Sequence, residues 1–314
     1  VFDVASEYKT LVEIAERSSG GHFGNPDTVS VVVHGNRILS SHVLPGVSLE
    51  AQETEDGIKA FITLDEGVRL VKPVHICFGH LGAKGRQTID TVIRMKRNSS
   101  AIFLAHCVFP NAEEFLHQME GEIYLEEGAS LTYNEVHVHG PEGKIVVRPK
   151  TNVVLEDKAI YRGDFTLVEG RVGDLSIDIY VDARGVGSSV EITSKVYGKY
   201  DDRCLVQDVV KLSGRDSSAL VKARVVLKDK SVGTFYGTIE GAAPGAKGHV
   251  DCTEIVQGEA VAEASPVVRA SHSEAEITHE AAIGRIADDK IAGLMAKGLS
   301  EDQAVDFIVA GLLR

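Results

Sequence analysis

The sequence predicts a mainly β protein, built from many short strands and closed at its C-terminal end by helices. Three observations carry this. The composition is rich in Val and Gly and has no Trp, which suits short strands joined by tight turns. From Thr88 onward, runs such as DTVIRMK, AIFLAHCVF, SLTYNEVHVHG and KIVVRP have strand character. Turn-like segments (EEGASL, LEDKAI, RVGDLSI, GVGSSVEI, GRDSSAL, KDKSVG) recur near 128, 157, 173, 187, 214 and 230. Their spacing, roughly 14 to 16 residues or twice that, is the period of a strand–turn–strand solenoid. Periodicity alone leaves an antiparallel sandwich open.

The elements follow in order. Val4, Ala5, Tyr8, Leu11, Val12 and Ala15 recur at helical spacing, so residues 2–17 should form an amphipathic helix that Ser18-Ser19-Gly20-Gly21 ends. GHFGNPDT is a loop with Asn25-Pro26-Asp27 as turn chemistry. Asn36, Pro45-Gly46, Asp56-Gly57 and Glu66-Gly67 then punctuate short runs that read as hairpins. Residues 287–313 read as two helices. Asp288 and Asp289 put acid at the start of the first, and Lys297-Gly298 close it. Ser300 is the expected N-cap of the second, with Gln303 completing a capping box. Val305, Ile308, Val309 and Leu312 form its apolar stripe. The expected organisation is therefore an N-terminal α/β cap over 1–87, a β core over 88–285 and a helical segment over 286–314.

Composition excludes several functions. The chain has 314 residues and a net charge of −13, so clustered Lys and Arg for nucleic acid or anionic membrane are lacking. No run of about 18 apolar residues occurs, so no membrane-spanning helix is expected. The opening VFDVASEYKT lacks the pattern of an export signal. Cys77, Cys107, Cys204 and Cys252 lie far apart with no CxxC, which points to reduced thiols in the cytoplasm. GAAPGAKGH and GHLGAKGRQ are glycine-rich but do not fit the phosphate-binding G-x-x-x-x-G-K-[ST], so ATP hydrolysis is not expected of this chain. No G-x-S-x-G elbow supports a serine hydrolase. A β-helix carbohydrate enzyme would need paired carboxylates and exposed aromatics, and aromatics make up only 6% of the chain.

Among metal-ligand candidates, His137 and His139 flank Val138 and share one face of a strand. With no third ligand nearby in sequence, a solvated strand face is the favoured reading. His75-Ile76-Cys77 and His106-Cys107 are read as strand residues with small buried thiols. The remaining set is Cys252 with His279-Glu280, a thiol, an imidazole and a carboxylate within His249–Gly284.

This last region carries a resemblance. ITHEAAIGRI followed by KGLSEDQAVDFIVAGLL resembles the C-terminal signature of the SufB/SufD family, subunits of the SUF machine for iron–sulfur cluster assembly. SVGTFYGTIEGAAPGAKGHVDCTEIVQG resembles the family's last β-helix turns. The resemblance is close over about 215–314 and weaker back to about residue 100. It implies a right-handed parallel β-helix. It also implies a scaffold, not an enzyme, that holds a transient iron–sulfur cluster. Cys252 and Glu280 match cluster-building residues of the B subunit, and His279 matches a histidine of the D subunit. Holding all three together, the chain resembles a short, undivided SufB/SufD-type form, and the three are the expected cofactor and metal ligands. The resemblance assigns no sulfur-accepting cysteine in the central β region. Implied partners are a SufC-type ABC ATPase docked on the terminal helices, a second copy or a paralogue, a sulfur donor and apo-protein acceptors. Strands between about 215 and 265 are expected to pair across the dimer axis. A structural partner of the ATPase without a cluster, or a carbohydrate-active enzyme, are the alternatives.

Overall fold

The computed structural model describes residues 3–313; Phe2, where the first helix was expected to start, and Arg314 lie outside the described residues. The chain passes back and forth between two ten-stranded sheets. In one sheet the strands run Ser30–His34, Val74–Gly79, Ser100–Phe109, Ser130–His139, Ile160–Glu169, Ser189–Gly198, Ser218–Leu227, Lys247–Val256 and Glu276–Gly284. The other runs from Gly57–Leu64 through Lys84–Met95 and the intervening strands to Val232–Gly241. All these neighbours are parallel. The result is a parallel β-solenoid of about eight coils.

One coil is two strands, one per sheet, and this explains the turn spacing. Cys107 pairs with His137, 30 residues on, and Val225 with Glu254, 29 residues on. Side chains alternate inward and outward, so strand Ser218–Leu227 is buried at every second position. Inward residues stack on their counterparts in the next coil. Ile93, Ile123, Val153, Val181, Val210 and Ile239 form one such ladder through the core. Each buried aliphatic side chain contributes about 1.5–3 kcal/mol of transfer free energy.

One corner repeats coil after coil. Asn98, Gly128, Lys158, Gly187, Asp216 and Gly245 all take left-handed backbone, with φ between 55° and 69°. Each of the first five turns its N–H onto a carbonyl of the next coil, as Gly128 does to Asp157 at 2.8 Å. Only half of these residues are glycine, so the corner has no fixed sequence.

Helix α1 (Val4–Ser19) is capped by the Asp3 carboxylate, which accepts from the Ser6 N–H at 2.8 Å, and by Gly20 at φ 72°. Its Leu11, Val12 and Ala15 cover Val32, Cys77 and Val108 on the outer face of the first sheet. Asn36 and Asp56-Gly57 lie in antiparallel hairpins as expected. Pro45-Gly46 and Glu66-Gly67 instead lie where the chain crosses between sheets. The expected boundary at residue 87 falls inside strand Lys84–Met95, and parallel pairing already begins with Ser30–His34 and Gly57–Leu64.

At the other end come α2 (Asp288–Met295) and α3 (Glu301–Leu312). The capping box forms: Ser300 accepts from the Gln303 N–H, and the Gln303 side chain accepts from the Ser300 N–H. Ala304, Val305 and Val309 bury their stripe with Ile291 against Tyr197, Val226 and Ile286. Tyr197 donates to Asp306 at 2.6 Å, and Lys228 donates to Asp302 at 2.6 Å. Ile308 is partly buried, while Phe307 and Leu312 face outward.

Candidate functional site

The last coil carries Cys252, His279 and Glu280, the three candidate ligands read from the sequence. Strand Lys247–Val256 turns Gly248, Val250, Cys252 and Glu254 inward. Strand Glu276–Gly284 lies beside it in parallel register, with Val250 opposite His279, Asp251 opposite Glu280 and Cys252 opposite Ala281. The 28 residues from Cys252 to Glu280 thus make two strand passes, one circuit of the solenoid. Cys252 is fully buried, and its thiol donates to the backbone carbonyl of Glu280 at 3.6 Å. His279 has the inward parity of Ile277, which packs on the core. Among the described residues no further coil covers this strand, and His279 is exposed. Glu280 has the opposite parity and is exposed on the outer face, in register with Asp251. Cys252 and His279 therefore share a face, and the Glu280 carboxylate takes the other.

Strand Glu276–Gly284 ends its sheet, and the short strands Val261–Ala264 and Val267–Ala270 end the other. Pairing across a dimer axis was expected of strands between about 215 and 265. Strands Ser218–Leu227 and Lys247–Val256 already have neighbours on both sides, so at this end of the solenoid the unpaired backbone lies over 261–284.

Electrostatics at this end favour protonated groups. Burial pushes the Cys252 thiol up to about 11, helped by the carboxylates of Glu254 and Asp251 and opposed by Arg224. On the outer face Arg224 donates to both Asp251 oxygens and holds that carboxyl below its ordinary value. Glu254, two residues from Cys252 on the same inward face, is 1% exposed. Neither of its side-chain oxygens has a hydrogen-bond partner among the described residues, and burial raises its pKa to about 7. The site thus holds a neutral thiol beside a carboxyl poised near neutrality. A cation arriving at the edge would draw off the thiol proton, since metal ligation needs the thiolate.

Glu254 was not singled out from sequence. In DCTEIV it looks like an ordinary alternating acid, and only the inward parity shared with Cys252 marks it. Asp208 is a second such group. It lies wholly buried inside the solenoid, its pKa raised to about 7 chiefly by burial.

One reading from sequence is overturned. His137 and His139 do not lie on a solvated strand face; they point inward and are 1% and 5% exposed. The next coil covers them on each side, as strand Ser130–His139 is flanked by Ser100–Phe109 and Ile160–Glu169. The reading of Cys77 and Cys107 as buried thiols holds.

The profile of the SUF system FeS cluster assembly SufBD core domain matches residues 80–312. An iron-sulfur cluster assembly SufBD family protein of Methanocaldococcus jannaschii is 38% identical over 283 residues, covering 90% of this chain and 89% of its own length. A SufBD family protein of Pyrococcus horikoshii is 35% identical over 309 residues, covering 98% and 94%. The longer iron-sulfur cluster assembly protein SufB of Bacillus subtilis is 22% identical over 265 residues, covering 81% of this chain and 55% of its own. With a match over most of its length and two relatives of its own size, this chain belongs to the SufBD family of iron–sulfur cluster assembly proteins.

Proposed function

We propose that this chain is the scaffold on which a nascent iron–sulfur cluster is assembled and from which it is passed to apo-proteins. In this reading it works with a SufC-type ABC ATPase and as a dimer, either of itself or with a SufB/SufD paralogue. The observation that carries the reading is the terminal coil. A buried thiol sits one strand from an exposed strand that bears an imidazole and a carboxylate, at the end of the solenoid where that strand's outer backbone edge is unpaired.

The chemistry follows from the ligand types. Cys252 as thiolate would hold sulfur or iron, and Glu280 would hold ferrous iron weakly as a hard oxygen ligand. His279 would ligate or carry a proton. Glu254 would take the thiol proton as the cluster forms. Such a mixed set releases its cargo more readily than four thiolates. Because Cys252 and Glu280 take opposite faces, a second copy docked on this edge would be needed to enclose the cluster. An unpaired strand is a template for such pairing. Phe307 and Leu312 on the outer side of α3 offer an apolar patch to the ATPase. A cytoplasmic location accords with the free cysteines, and no helix among the described residues is long and apolar enough to cross a membrane.

The test is anaerobic co-expression with the ATPase of the same organism. Iron and acid-labile sulfide are then measured in the purified complex, together with its molar mass. A dimeric complex carrying both elements is expected. A stable complex with neither would leave only a structural partner of the ATPase.

A further inference from the structure

Far from the last coil, the interior holds a second set of metal-type ligands. Cys107 and His137 are register partners on adjacent strands, and Glu135 lies two residues before His137 on the same inward face. Their donor atoms, one sulfur, one carboxylate oxygen and one ring nitrogen, all lie within 4.8 Å of one another. All three residues are buried. We propose that Cys107, Glu135 and His137 form a buried site for one divalent transition metal of borderline softness, zinc or ferrous iron, separate from the cluster ligands of the last coil.

The donor set selects the class of ion. A thiolate excludes magnesium and calcium, and an imidazole with a carboxylate suits zinc or ferrous iron. Tetrahedral bonds of about 2.0–2.3 Å place ligand atoms about 3.3–3.8 Å apart, so His137 Nε2 and Glu135 Oε1 would widen from 2.7 Å while any wider separation, at most 4.8 Å, closes in. Charge also fits. One thiolate and one carboxylate neutralise a divalent cation, and a buried charge is tolerated only when paired.

The surroundings are those of a metal-ligating histidine. His139 Nδ1 lies 2.9 Å from the Arg171 carbonyl, which can only accept, so that nitrogen carries the hydrogen. With its hydrogen on Nδ1, the neutral His139 ring offers Nε2 as an acceptor. Its Nε2 must then accept from His137 Nδ1, 3.3 Å away. This leaves the His137 Nε2 side facing Glu135 Oε1 at 2.7 Å, with one proton between them. An outer hydrogen-bond chain of this kind fixes the tautomer and orientation of a ligating ring. Binding would exchange the metal for two protons, that one and the proton on Cys107 Sγ.

Two unspent groups face the same place. The Cys107 thiol makes its contact with the Met119 thioether, at 3.7 Å. His117, fully buried, has neither ring nitrogen hydrogen-bonded, and its ring lies 5.9 Å from that of His137. A buried imidazole with two idle nitrogens is costly unless something else occupies its surroundings. A small cavity of about 20 Å³ reaches Glu135 between Tyr133, Tyr161 and Thr151, enough for one water as a fourth ligand.

The test uses the full chain with Cys252→Ser as background, so that the last coil supplies no thiolate. The protein is expressed in cobalt- or zinc-supplemented medium, so that loading accompanies folding. About one metal per folded chain is expected, with the near-ultraviolet thiolate-to-cobalt charge-transfer band. Adding Cys107→Ser should abolish that band, and adding Glu135→Gln should weaken cobalt affinity at least tenfold. A background protein without the band, or a band that survives Cys107→Ser in folded protein, overturns the proposal. If the Cys107→Ser form does not fold, Glu135→Gln decides: unchanged affinity overturns it. Neither result bears on the cluster site, whose thiol is absent throughout.

Discussion

Asp208→Asn should change how stability depends on pH. Asp208 sits wholly inside the solenoid, and its carboxyl is raised from 3.8 to about 7, first by burial and then by Asp178. A raised carboxyl binds more protons folded than unfolded between those two values. Stability therefore falls as pH rises from about 4 and levels off above about 7. A shift of about three pH units corresponds to roughly 4 kcal/mol as an upper bound, and water penetration would reduce it to about 2–4 kcal/mol. Asn keeps the shape and cannot ionise, so the variant should lose this slope. The two proteins should be similar near pH 4, with the variant gaining relative to wild type up to pH 8. The assay is urea unfolding followed by circular dichroism at several pH values, read as the difference between the two proteins. That difference cancels the buried histidines, which act in the opposite sense. A wild-type-minus-variant difference that stays constant from pH 4 to 8 would show that Asp208 is not held neutral.

The other predictions are shorter. Burial lowers the pKa of His106 to about 4 and also lowers that of His117, so their contribution is present above the unfolded value near 6.5 and is lost as pH falls through the folded values. In the Asp208→Asn protein, which lacks the opposing slope, acid titration should show stability falling below about pH 6; a stability flat down to pH 4 in that variant would contradict it. Ser300→Ala breaks the capping box and should cost about 1 kcal/mol, seen as faster amide exchange confined to α3. Exchange that rises evenly over the solenoid would refute a local role. Truncation after Ile286 should abolish ATPase binding while the solenoid still folds. It would expose Tyr197 and Val226, so a fall in solubility is also expected; unchanged affinity would remove the helices from the interface.

The repeat was legible in the sequence because the spacing of turns reports strand length, and strand length is set by the width of the solenoid. Its strength was hidden. The corner from Asn98 to Gly245 is a regular ladder of left-handed residues, but Asn, Lys and Asp stand in for Gly there. The turns near 173 and 230 belong to other corners, which made the spacing look loose. The early coils were less visible. Two antiparallel hairpins interrupt them, so residues 1–87 read as a cap although strands Ser30–His34, Gly57–Leu64 and Val74–Gly79 pair in parallel within the solenoid. Ser300 and Gln303 could be read because a capping box is local.

At the candidate site, the nearness of Cys252 to the strand bearing His279 and Glu280 followed from the coil period. Which face each side chain takes did not, because register shifted by one residue reverses it. The cluster of Cys107, Glu135 and His137 was out of reach for a like reason. His137 and His139 were seen as a pair, but in the cluster His137 joins Glu135, two residues before it, and Cys107 from the coil before, 30 residues away. Alternating polar and apolar residues normally mean one wet face, and here both faces of the strand hold polar groups.

The measurement that bears most directly on the central claim is iron and sulfide content per folded protomer in Cys252→Ser, His279→Ala and Glu280→Ala, each co-expressed anaerobically with the ATPase. Cys252→Ser should remove most of both elements. Glu280→Ala should lower iron more than sulfide, because a carboxylate is a hard ligand and a poor sulfur acceptor. His279→Ala should fall between them. All three should stay folded, since His279 and Glu280 are exposed and Ser nearly fills the space of Cys. Wild-type iron and sulfide in all three folded variants would contradict the assignment of the cluster to the last coil.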